Sequence, residues 1–171
     1  CRRLEQCGIR IYDCDAAAKR LMRSSTELQQ ALQRVVGQEV CRDGVINKAC
    51  LAQYLLASEH NARRIDAIVH PAVAQDFIES GYTWMECAIL FESGFDRLVD
   101  QVVYVDAPRE VRMKRVMQRD GITAAKVEEW MQRQLPPDEV RRRCQHIIVN
   151  DGIADIDSQI SRLLDTLKQP G

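Results

Sequence analysis

Gln101-Val102-Val103-Tyr104-Val105-Asp106-Ala107-Pro108 is a nearly continuous apolar run closed by an acid, a small residue and a proline. It predicts a strand over Gln101–Val105 that passes straight into a helix over Ala107–Gln118, because proline suits the first helical turn, where its missing N–H costs nothing. A strand apolar on both sides is buried on both sides, which is the habit of parallel sheets covered by helices. Outward from this stretch the same alternation repeats. Ile9–Asp13, Thr83–Leu90 and His146–Val149 are further strand-length runs. Helical patterns lie between them: Ala16–Arg23, Thr26–Val36, Leu51–Ala57, Ala62–Phe77 with a kink or break at Pro71, Thr123–Gln134, and a short one over Asp138–Arg143 after Pro136-Pro137. Asp43-Gly44 reads as a turn, and the last helix places Ile156, Ile160, Leu163, Leu164 and Leu167 on one face. The fold class is therefore α/β: the four strands are expected in one parallel sheet flanked by helices, with a gap or a further strand at its centre. In such sheets ligands bind at the carboxyl ends of the strands.

Composition bounds the function. The 171 residues carry 24 Lys and Arg against 25 Asp and Glu, a net charge of −1, so the whole molecule has no nucleic-acid signature. No apolar run approaches the roughly 20 residues that span a bilayer, and no signal-peptide pattern opens the chain. Charge is uneven, however: Arg109–Arg143 holds ten basic and six acidic residues, a local net of +4. That segment is either a solvated helix face or a clamp for a polyanionic ligand. Seven cysteines, an odd number without C-x-x-C spacing, read as thiols of a reducing, cytoplasmic compartment rather than disulfides or a zinc site. Cys1–Gly8 reads as the last turns of a helix, so the chain is expected to continue upstream of Cys1.

Candidate chemistry lies at the strand ends. Asp13-Cys14-Asp15 puts two acids at the tip of the first strand, where they can support Mg²⁺ or take a proton from a hydroxyl; Asp15 can equally cap the helix starting at Ala16, and spacing alone favours the cap. Leu90-Phe91-Glu92-Ser93-Gly94 places a carboxylate at the exit of the second strand, to orient a substrate or simply to open a helix. Arg115 and Arg119, four apart, share a helix face and offer two guanidinium forks suited to phosphate oxygens, although an exposed face would look the same. Asp106-Ala107-Pro108 reads as structural.

In order along the chain, Ile11-Tyr12-Asp13-Cys14-Asp15, Ile68-Val69-His70-Pro71, Leu90-Phe91-Glu92-Ser93-Gly94, Arg115-Val116-Met117-Gln118-Arg119-Asp120-Gly121, Gln134 and Ile148-Val149-Asn150-Asp151-Gly152 resemble the motifs of the dephospho-CoA kinase family: D-A-D, I-x-H-P, L-L-F-E-x-G, R-x-x-x-R-D-G and their sequels. Each motif alone is weak; six in the right order are strong. The resemblance implies a P-loop NTPase-type parallel sheet flanked by helices: a core of 1–23, 82–108 and 144–171, a helical CoA-binding lobe of about 24–81 and a lid of about 109–143. It implies ATP-dependent phosphorylation of the ribose 3′-hydroxyl of dephospho-CoA, with ATP and Mg²⁺ as cofactors, in a cytoplasmic protein, by default a monomer. By the same resemblance Asp15 is the general base, Asp13 supports the metal, and His70, Leu90, Phe91 and Glu92 face dephospho-CoA. Arg115 and Arg119 clamp ATP phosphates, Arg119 also acting on the transferring group, and Asn150 and Gly152 lie near the adenine.

Five departures stand beside it. Residues 1–171 contain no G-x-x-x-x-G-K-[ST] loop, which is expected about one helix before Cys1, and by themselves they are expected to be inactive. Lys19 stands where the family often has Arg. Gln145-His146 replaces an acidic pair, and prolines replace an Arg after Gln134, leaving its role to Arg133 or Arg141–Arg143. The stretch from Phe77 to Trp84 is short for the family. Two other readings compete: another small P-loop kinase, which would not need the I-x-H-P and L-F-E segments, and a non-catalytic binding module, which would not need Asp13, Asp15, Glu92, Arg115 and Arg119 together.

Overall fold

The computed structural model describes residues 1–168, arranged as two compact units, one of Cys1 with Gly8–Ala88 and one of Arg2–Cys7 with Ile89 onward. Its helices are α1 (Arg2–Gln6), α2 (Cys14–Ser24), α3 (Thr26–Val36), α4 (Lys48–Ala57), α5 (Glu59–Ser80), α6 (Arg109–Asp120), α7 (Ala124–Gln132), α8 (Pro137–Arg143) and α9 (Ile156–Lys168). Its strands are β1 (Ile11–Asp13), β2 (Cys41–Arg42), β3 (Val45–Ile46), β4 (Trp84–Glu86), β5 (Val103–Asp106) and β6 (His146–Val149).

In the first unit β1 and β4 pair in parallel, Ile11 opposite Trp84 and Asp13 opposite Glu86. Helix α5 supplies the main apolar face: Ile65, Val69, Val73 and Phe77, four residues apart, are all buried. The Tyr12 ring meets that face edge-on, 5.2 Å from the Phe77 ring, and a second edge contact to Tyr82 lies at 5.9 Å. Such pairs prefer this T-shaped geometry. Leu28 and Leu32 bury the inner face of α3. Gln29, the buried polar side chain of this unit, donates to the carbonyls of Met22 and Gly44, which ties α3 to the end of α2 and to the β2–β3 hairpin. Each helix has a chemical start: Asp13, Ser25, Asn47 and Ser58 cap α2, α3, α4 and α5 with side-chain oxygens.

In the second unit β5 and β6 pair in parallel, Val103 opposite His146 and Asp106 opposite Val149. Ile148, Ile160, Leu163 and Val127 form its core, and α1 joins α9 through an Arg3–Asp157 ion pair at 3.6 Å. Gly121 ends α6 in the left-handed conformation (φ 65°) with its N–H on the Met117 carbonyl, a position that favours glycine because it carries no Cβ.

The parallel α/β architecture matches the sequence expectation: the parallel strands pair as β1 with β4 in the first unit and β5 with β6 in the second. Two details correct it. The strand expected over Thr83–Leu90 stops at Glu86, because the apolar residues beyond it turn: Phe95 N–H donates to the Leu90 carbonyl and Ser93 N–H to that of Ile89. Pro71 does not break its helix; α5 runs through it, and the buried stripe on both sides outweighs the one lost N–H.

Candidate active site

The first group of candidates sits at the carboxyl end of β1. Asp13 has extended backbone (φ −88°, ψ 107°), and its Oδ1 accepts from the Ala16 N–H at 2.9 Å. The cap of α2 is therefore Asp13, and not Asp15 as spacing suggested, because the helix starts at Cys14 rather than Ala16. Asp15 falls in the first turn of α2 with its side chain 77% exposed and ion-paired to Lys19 one turn on. Freed from capping, this carboxylate is exposed and available to a ligand. His70 lies on α5, its Nε2 3.6 Å from Asp66 Oδ1 one turn back, with the ring about a quarter exposed.

What holds the β1 tip is a cluster that sequence reasoning did not single out. The Tyr12 hydroxyl donates to Asp76 Oδ2 at 2.6 Å, and Arg20 Nη2 donates to the same oxygen at 2.6 Å. Burial pushes the Asp76 carboxyl up, but the bonds from Tyr12 and Arg20 and the Arg20 charge outweigh it and hold the group below the ordinary carboxylate range. Burial, with the bond to Asp76, pushes the Tyr12 phenol well up. Contacts spanning 56 and 64 positions have no periodic signature, so only the fold could bring Tyr12 and Arg20 to Asp76.

The second group lies in the other unit. Arg115 Nη1 donates to the Asn150 carbonyl at 2.8 Å, so α6 is fastened to the carboxyl end of β6. Gly152 (φ 94°) lies under the same guanidinium; a Cβ built there would stand 3.8 Å from Arg115 Nη2. Arg119, one turn on, makes a bidentate pair with Asp120, both bonds 2.8 Å, on a side chain 72% exposed. Asp151 Oδ1 accepts from the N–H groups of Ile153 and Ala154, which holds its carboxyl below the usual range.

An open pocket of about 380 Å³ lies beside these residues at the ends of β5 and β6, lined by Asp106, Arg109, Arg112, Arg141, Val149 and Asp151 among others. Arg141 reaches Asp106 at the tip of β5. The Arg112 Nε in the pocket wall is buried with no hydrogen-bond partner. Arg133, by contrast, pairs with Glu129 on its own stretch of helix at 2.6 Å.

Leu90, Phe91 and Glu92 form the turn after β4. Glu92 Oε1 accepts from the Leu135 N–H at 2.8 Å, and the Arg143 guanidinium stacks over the Phe91 ring at 3.9 Å while reaching Asp96 at 3.3 Å. The arginine run at 141–143, noted in the sequence only as a possible substitute, thus supplies two contacts that order this unit. Asp13, Asp15 and His70 belong to the first unit; Leu90, Phe91, Glu92, Arg115, Arg119, Asn150 and Gly152 belong to the second.

Comparison with known proteins adds an independent line. The family model for dephospho-CoA kinase matches residues 1–155. A dephospho-CoA kinase of Bacteroides fragilis is 34% identical over 97% of this chain and 84% of its own length. One of Porphyromonas gingivalis is 32% identical over 94% of this chain and 83% of its own. Among solved structures, TT1252 from Thermus thermophilus superposes with a TM-score of 0.83 at 24% identity, covering 99% of this chain and 90% of that one. Dephospho-CoA kinase from Campylobacter jejuni superposes at 0.64 and 19% identity, covering 95% and 87%; both show the shared fold. On the family match and these relatives, the chain belongs to the dephospho-CoA kinase family.

Proposed function

We propose that this protein transfers the γ-phosphoryl group of ATP to the ribose 3′-hydroxyl of dephospho-CoA, with Asp15 as the general base. One observation carries the assignment of the base: at the β1 tip the two acids divide their labour, Asp13 spending an oxygen on the α2 cap while Asp15 stands exposed beside Lys19. A base must reach the proton it removes, and an exposed carboxylate at a strand end can. Lys19, its ion-pair partner, must yield to the substrate hydroxyl.

Phosphoryl transfer asks the protein for position and charge neutralisation more than for covalent chemistry. Arg115 and Arg119 are the ATP-side cations. Arg115, anchored on Asn150, orients; Arg119, exposed and paired with its neighbour Asp120, can turn to the transferring group as charge shifts. Asn150 and Gly152 shape the nucleotide side. Arg141 takes the role left by the prolines after Gln134, since it reaches a strand tip and Arg133 does not. His70, Leu90, Phe91 and Glu92 face dephospho-CoA, with Glu92 also fixing the chain at Leu135. In this reading 24–81 is the substrate lobe and 109–143 the lid, in a cytoplasmic monomer.

Among the described residues no three His, Cys, Asp or Glu side chains gather as a metal cage. Mg²⁺ commonly takes one or two carboxylates with substrate phosphates and water, and Asp13 is the residue that would support it. When bound, Mg²⁺ neutralises phosphate charge.

The test is an acceptor panel. The full-length protein with ATP should convert dephospho-CoA to CoA and leave nucleoside monophosphates untouched. Preferential phosphorylation of a nucleoside monophosphate would make it another small P-loop kinase, and no transfer to any acceptor would favour a binding module.

A further inference from the structure

Cys14 stands between the two acids of the β1 tip, and its counterpart across the parallel pair is another cysteine. The register sets Asp13 opposite Glu86, so the next residue on each side is Cys14 and Cys87. The Cys14 thiol is buried and hydrogen-bonded to Cys87, which is itself half-buried. Neither is in a disulfide. Cys14 is buried and Cys87 is the more exposed of the two, so Cys87 is the sulfur that an oxidant reaches first.

We propose that Cys14 and Cys87 are a redox-sensitive pair whose reversible disulfide shuts down phosphoryl transfer; the loss of activity rests on the assignment of Asp15 above. The oxidant is a peroxide. The more accessible Cys87 sulfur attacks the O–O bond, becomes a sulfenic acid and releases one water. The Cys14 sulfur then displaces that hydroxyl as a second water, forming the S–S bond. The two thiols lose two electrons and two protons; one peroxide takes both. A small dithiol reverses the step by thiol–disulfide exchange.

The consequence follows from distance. Sulfurs in hydrogen-bond contact must close to about 2.05 Å to bond. Cys14 is the first residue of α2, flanked by the capping Asp13 and by Asp15, so the closure moves both acids. A shift of about 1 Å in a reacting group can cost on the order of 100-fold.

The experiment treats the full-length protein with hydrogen peroxide, blocks remaining thiols by alkylation and maps peptides by mass spectrometry, with CoA formation measured before and after and again after dithiothreitol. The expected result is a peptide pair joined through Cys14 and Cys87, a fall in turnover of roughly 10- to 100-fold, and recovery on reduction. Cys87→Ser should start with ordinary turnover and keep it through peroxide; Cys87→Ala serves should the serine disturb folding. Full alkylation of both cysteines after peroxide, or a cross-linked protein as active as the reduced one, would overturn the proposal. Peptide mapping does not depend on the role of Asp15, which the Asp15→Asn variant tests separately in reduced protein.

Discussion

At the scale of single residues, the account turns on Asp15 doing chemistry while Asp13 holds the helix. Asp15→Asn keeps the shape and removes the base, so turnover should fall by about 10²- to 10⁴-fold with ATP affinity largely intact, measured by steady-state kinetics beside nucleotide titration. Near-normal turnover would return Asp15 to a structural role. The acids at the strand tip were legible in the sequence; which of them capped α2 was not, because a two-residue difference in helix start exchanges the roles and spacing cannot fix the start. Asp76 was invisible for another reason, its partners Tyr12 and Arg20 being brought to it only by the packing of α5 on β1. Its lowered folded-state pKa makes its contribution fully present above the ordinary carboxylate pKa of about 3.9, and lost as pH falls further through the folded value. Asp76→Ala should therefore destabilise the protein by about 1–2 kcal/mol at neutral pH, allowing for the exposed Arg20 arm, and the difference from wild type should shrink below about pH 4 in denaturant titrations.

The elements show where periodicity suffices and where it fails. α3 and β6 fall where the pattern put them, at Thr26–Val36 and His146–Val149, because an apolar stripe with a serine cap, and a short apolar run before Asn-Asp-Gly, leave little alternative. Beyond Glu86 the pattern misleads: Cys87–Leu90 is as apolar as a strand, yet its carbonyls serve a turn that carries Glu92 toward Leu135. The same element logic separates the two arginines of α6. Arg115 is tied to the Asn150 carbonyl, and Arg119 pairs with the adjacent Asp120. Arg119→Ala should accordingly lower turnover more than it weakens ATP binding, since a contact that strengthens during transfer acts on the barrier. Equal losses in both would make Arg119 an ordinary binding residue. Arg115→Ala should weaken ATP binding as well, because it removes the anchor between α6 and the end of β6.

For the whole molecule, near-neutral charge with a basic 109–143 segment suits a compact polyanionic ligand better than a nucleic acid, and none of the described helices is long and apolar enough to cross a membrane. The family match over residues 1–155 and a fold shared with solved relatives agree with the motif order read from the sequence. What neither periodicity nor motif order could reveal is which strands pair and in what register, because strand pairing is a property of the folded chain and not of any one strand. The central claim is the transfer of phosphate to one hydroxyl, and ³¹P NMR of the product made by the full-length protein from ATP and dephospho-CoA tests it most directly. A single new phosphomonoester on the ribose 3′-oxygen, with ADP formed in equal amount, is the predicted result; phosphate on the 2′-oxygen or on the pantetheine arm, or ATP consumed without a new ester, would contradict it.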